Sequence, residues 1–88
     1  MATRVALIGI VVENLESVEK LNAILHQYGE HIIGRMGIPY RERRISIISV
    51  AVDAPEDVIS TMAGRLGMLP GVSAKIIYAK KDSPPTTA

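Results

Sequence analysis

The two stretches Val5 to Val12 and Ile45 to Val52 constrain this chain more than anything else in it. Both are rich in β-branched residues, and both are apolar on each of the two faces that a strand presents. In the first, Val5, Leu7 and Val11 fall on one side, and Ala6, Ile8, Ile10 and Val12 on the other. In the second, Ile45 and Ile47 oppose Ile48, Val50 and Val52. Neither run is long enough to cross a membrane, and the first passes straight into a helix signal with no clear cleavage site, so it is read as a buried strand rather than a signal peptide. Strands of this kind belong in the middle of a sheet that is covered on both sides.

The segments between and beyond them supply the rest of a fold. Asn14 suits a helix N-cap and Glu16 the first turn. Val18, Leu21, Leu25 and Tyr28 then recur at helical spacing, with Ile24 widening the stripe and Gly29 ending it. A strand is expected from Ile32 to about Met36, broken by Gly37 and Pro39. After Ile45 to Val52, Asp53 and Glu56 resemble a capping box and Pro55 fits a first helical turn. Val58, Met62 and Leu66 mark a second helix that stops at Gly67. Leu69 to Val72 turns the chain into a last strand, Val72 to Ala79. The order β-α-β-β-α-β predicts an α+β, ferredoxin-like sandwich: a four-stranded antiparallel sheet, both helices on one face, and the first and third strands in the middle. Residues 1–80 form one domain in this reading, and the polar, Pro/Thr-rich residues 81–88 a disordered tail.

That architecture leaves one sheet face bare, and either choice of face is apolar. An 88-residue chain with 48% apolar residues and no cysteine has neither disulfides nor much bulk with which to hide it. Monomers rarely expose such a patch, so a second copy of the chain is expected to cover it. Absence of cysteine fits a reducing compartment, and the expected location is cytoplasmic. A net charge of +1 gives no basic field for nucleic acid. No nucleophile elbow, phosphate loop or paired metal-ligand motif points to catalysis, so the chain is not read as an enzyme.

With this order in place, "VVEN" leaving the first strand, "ILHQY", "RMGIPYRE" around the hairpin and "GRLGMLPGVSAKI" into the last strand resemble, together, the small proteins named iron-only hydrogenase system regulators. The resemblance runs from about Arg4 to Lys80. It implies an ACT-like form of the ferredoxin-like fold, similar to the C-terminal regulatory domain of the nickel-responsive repressor, and it implies a homo-oligomer, a tetramer or else a dimer. Two departures matter. The repressor domain holds nickel with several histidines and a cysteine, and this chain has two histidines and no cysteine, which argues against the same square-planar site. It also has no ribbon-helix-helix segment, so regulation would pass through a separate protein partner rather than direct contact with nucleic acid, and no membrane is involved.

The resemblance to ACT domains further implies a small-molecule effector at the loop after the first strand, Glu13, Asn14 and Leu15, facing Gly29, Glu30 and His31 of a neighbouring subunit. Plain helix capping is the competing reading of Asn14. Arg35, Arg41, Arg43 and Arg44 are candidates for holding an anion, since guanidinium forks suit phosphate or carboxylate. A charged hairpin tip kept soluble is the plainer account, with Glu42 among them and no interleaved aromatics. His26 and His31 are the chain's imidazoles and its candidate metal ligands, but their spacing across Gly29 is not that of a helical metal pair. His26 instead suits a helix C-terminus and His31 a polar edge, and no metal or cofactor is assigned. The expectation is an effector-sensing ACT-like regulator linked to the iron-only hydrogenase system and acting through its assembly. The alternative is a ligand-free assembly module for metalloenzyme maturation.

Overall fold

The computed structural model describes residues 2–80, and the expected tail at 81–88 lies outside the described residues. Its elements are β1 (Arg4–Val12), α1 (Val18–Gln27), β2 (Ile32–Tyr40), β3 (Ile45–Ala54), α2 (Glu56–Gly67) and β4 (Val72–Tyr78). The strands form one antiparallel sheet in the order β2-β3-β1-β4, which is the ferredoxin-like arrangement with β1 and β3 central. The alternation of β1 is resolved as expected. Ala6, Ile8, Ile10 and Val12 are buried to 3% exposure or less, and Ile48, Val50, Val52 and Ala54 of β3 join them. Leu21, Ile24 and Leu25 of α1 and Ile59, Met62, Ala63 and Leu66 of α2 pack onto this same layer, so both helices cover one face.

Two local expectations are corrected. β2 does not break at Gly37 but continues through Pro39 to Tyr40, pairing Gly37 with Ile48, Pro39 with Ser46 and Tyr40 with Ile45. β2 is an edge strand, where half of the N–H groups face no neighbour, so a residue without an N–H is tolerated there. Nor does Asp53 cap α2. β3 runs on to Ala54, and Pro55 stands at the N-cap with no side-chain cap. The Pro55 carbonyl instead accepts from the backbone N–H groups of Val58 and Ile59, at 3.0 and 3.1 Å. Val58 is accordingly half-buried, and Ile59 takes the core position beside Met62 and Leu66.

The opposite sheet face is open. The strand register brings Val5, Leu7, Gly9 and Val11 of β1 into line with Ile47, Ser49 and Ala51 of β3. Gly34, Met36, Ile38 and Tyr40 of β2 flank them on one side. Ser73, Lys75 and Ile77 of β4 flank them on the other. Val5, Leu7, Met36, Ile38, Ile47 and Ile77 are 40–66% exposed, which confirms that the face left by the helices is apolar.

Candidate functional site

The β1–α1 loop is built on one end of the sheet and is braced from the α2–β4 loop. Glu13 N–H donates to the Gly71 carbonyl at 2.7 Å, and the buried Ser17 hydroxyl donates to the Pro70 carbonyl at 2.6 Å. Gly71 has φ of +69°, and a Cβ there would lie 2.7 Å from the Asn14 Cβ and 2.8 Å from its backbone nitrogen. A side chain at this position is therefore both conformationally costly and sterically blocked. Asn14 Oδ1 accepts from Glu16 N–H at 3.0 Å, capping a short 3₁₀ turn at Leu15–Ser17 that leads into α1.

On the outer side of this loop lies an open depression of about 310 Å³, lined by Glu13, Asn14, Leu15, Glu16 and Arg44. Arg44 reaches it because Val12 pairs with Ser46, which sets the β2–β3 turn beside the end of β1. Arg44 has left-handed backbone, φ 54° and ψ 41°, and closes the 3₁₀ turn Arg41–Arg43 by donating its N–H to the Arg41 carbonyl at 3.1 Å. The depression combines carboxylates, a guanidinium and the Asn14 amide, a set that matches a ligand carrying both signs of charge.

The other sequence candidates are dispersed. Glu30 and His31 follow α1 and enter β2, whose first residue, Ile32, pairs with Val52 at the opposite end of β3. Within one chain they therefore lie at the far end of the sheet from Glu13, Asn14 and Leu15. His31 Nε2 is 3.6 Å from Glu30 Oε1, an ion pair when the imidazole is charged. His26 is exposed in the last turn of α1. Among the described residues no group of three or more His, Cys, Asp or Glu side chains gathers to hold a metal ion.

The four arginines do not form one cluster. Arg35 pairs with Val50 on the helix side of β2 and donates to Asn22 Oδ1 on α1 at 3.0 Å. Arg41, Arg43 and Arg44 belong to the β2–β3 turn, where Tyr40 donates its hydroxyl to Glu42 at 3.3 Å. The proximity of Arg44 to Glu13 and Glu16 is set by strand register, which no local pattern around either segment announces. "LPGV" did mark the turn that braces the loop, but not what it braces against.

Together these features define a small ferredoxin-like sandwich with an open depression beside the loop at one end of its sheet and an apolar face that the helices leave uncovered. The family described as "TM1266-like: Iron-only hydrogenase system regulator, putative" matches residues 4–76, and the chain belongs to it. Among solved structures, the uncharacterized protein TM1266 from Thermotoga maritima is similar at 32% sequence identity with a TM-score of 0.85. The match covers 89% of this chain and 99% of that one. No curated protein matches the chain.

Proposed function

We propose that this protein is a cytoplasmic, effector-sensing regulatory module of the iron-only hydrogenase system. It works as a homo-oligomer, a tetramer or a dimer, and passes its state to a separate protein partner rather than to nucleic acid or a membrane. The observation that carries this reading is the depression at Glu13, Asn14, Leu15, Glu16 and Arg44, held on a loop that the rest of the fold braces. A small molecule with a carboxylate for Arg44 and a cationic group for Glu13 or Glu16 fits that set. Glu30 and His31 complete the site from a neighbouring subunit. Regulation follows from unequal affinity of the effector for two states of the assembly, since only such a difference shifts an equilibrium.

The open apolar face favours a second reading, a ligand-free assembly module for metalloenzyme maturation. Thermal unfolding against a panel of amino acids, simple carboxylates and simple amines separates the two. A sensor gains about 2.7 kcal/mol when its ligand stands at one hundred times Kd, visible as a rise in Tm. Arg44→Ala and Glu13→Gln should abolish that rise while leaving the unliganded Tm close to the parent's. If no compound class moves Tm, the effector reading fails and the assembly module stands.

A further inference from the structure

The centre of the open face has a shape that the chain's own folding does not require. Gly9 lies in the middle of a central strand, where the register forms a row of Met36, Ser49, Gly9 and Lys75 across all four strands. A Cβ added at Gly9 would meet nothing within 4 Å, and the same holds at Gly34. Neither glycine has positive φ. Glycine weakens a strand interior; Gly34 stands at the register shift between Ile32 and Gly34, where a bulge gives it a local reason, but at Gly9 neither backbone conformation nor packing within the chain supplies one. The remaining physical reason is close approach of something from outside.

The surroundings say what that is. Beside Gly9 in the register, Gly34, Ser49 and Ala51 line a depression of about 260 Å³, which adjoins a second of about 280 Å³ and shares Leu7 and Ala51 with it. Met36, Ile38 and Ile77 stand proud at the margins, 53–66% exposed. The strands present only Lys75 and Asp53 as charged side chains on this face, one of each sign. The surface is thus neutral and carries its own knobs and hollows, as a self-complementary interface must. Four strands about 4.8 Å apart, at about 3.3 Å per residue, give a face of about 550 Å². Two such faces bury about 1,100 Å² as flat footprint, just above the roughly 1,000 Å² that a specific interface needs.

We propose that two copies of this chain pack sheet against sheet across this face, the hollow at Gly34, Ser49 and Ala51 receiving the proud apolar side chains of the partner copy and the bare backbone at Gly9 letting the partner approach beside it. This rests on the reading of the protein as an oligomeric module, and it names the surface and the residues that shape it.

The sign of one substitution tests it. In a free-standing monomer Gly9→Val places a good strand former in open space, so it leaves stability unchanged or raises it. In the packed pair it takes up the open space above Gly9 through which the partner approaches. Sedimentation velocity across the micromolar range should show the parent chain associating, with Gly9→Val weakening association at least about tenfold. Met36→Asp, on an exposed edge-strand position, should do the same without disturbing the monomer's circular dichroism. Gly64→Ala on the outer surface of α2 should leave association as it was. Association that survives Gly9→Val and Met36→Asp would place the interface elsewhere and overturn this inference while leaving the oligomeric reading intact. A parent chain that stays monomeric would overturn both. A monomer that carries an apolar adduct lost in Gly9→Val would overturn the second copy as occupant.

Discussion

Gly71 shows how much one residue position can decide. Its φ of +69° is left-handed, and its missing side chain is what lets the β1–α1 loop close against the α2–β4 turn. Gly71→Ala combines a strained backbone with a collision against Asn14 backbone atoms, which cannot swing aside as the end of a flexible side chain can. It should cost about 2–3 kcal/mol, read as a lower midpoint of urea unfolding with an unchanged slope. Gly64 provides the contrast. It is exposed within α2, its added Cβ would meet nothing, and alanine there should stabilise by about 0.5–1 kcal/mol. Equal effects from the two substitutions would mean that the brace at Asn14 does not exist. Ser17 belongs to the same brace. Ser17→Ala leaves the Pro70 carbonyl without its buried donor and should cost about 1–2 kcal/mol in the same assay.

At the scale of elements, the pattern of residues was most legible where one local rule acted alone. β-branched runs apolar on both faces identified β1 and β3, and helical spacing with Gly29 and Gly67 placed α1 and α2. The misreadings arose where tertiary position overrode a local signal. Pro39 ends a strand by its chemistry but not on an edge; the order of elements already puts β2 at an edge, but nothing near Pro39 itself does. Asp53 and Glu56 have capping-box spacing, yet pairing of β3 with β1 holds the chain extended through Ala54 and moves the helix start past Asp53. The four clustered arginines were separated for a similar reason: Arg35 sits on the helix side of β2, and the others ride the turn. Glu13, Asn14 and Leu15 were legible as a loop, whereas the arrival of Arg44 depended on register. The caps give a direct check. Asn14→Ala removes an acceptor that caps a real turn and should cost about 1 kcal/mol. Asp53→Ala removes no cap and should lie within about 0.5 kcal/mol of the parent. A cost at Asp53 matching that at Asn14 in denaturant titrations would restore the capping box.

For the whole molecule, the decisive asymmetry is between the two faces of one strand. Ile8 and Leu7 are neighbours in β1, yet Ile8 is fully buried under the helices and Leu7 is 40% exposed on the open face. Ile8→Ala removes core volume and should cost about 2–5 kcal/mol at any protein concentration, because the cavity lies within a single chain. Leu7→Ala behaves differently if copies meet on the open face. In the dilute limit Leu7 has little more to lose than a partly covered side chain, and the cost should stay below about 1.5 kcal/mol. As concentration rises, the parent gains stability from association by mass action, and the variant, having lost contacts to the partner, gains less. The cost of Leu7→Ala should therefore grow with protein concentration while that of Ile8→Ala stays constant. Thermal unfolding of the parent and both variants over a hundredfold range of concentration measures this directly. Parallel, concentration-independent offsets for both substitutions would show that the open face of the sheet stays in water, and the apolar residues on it would then need a different partner to explain them.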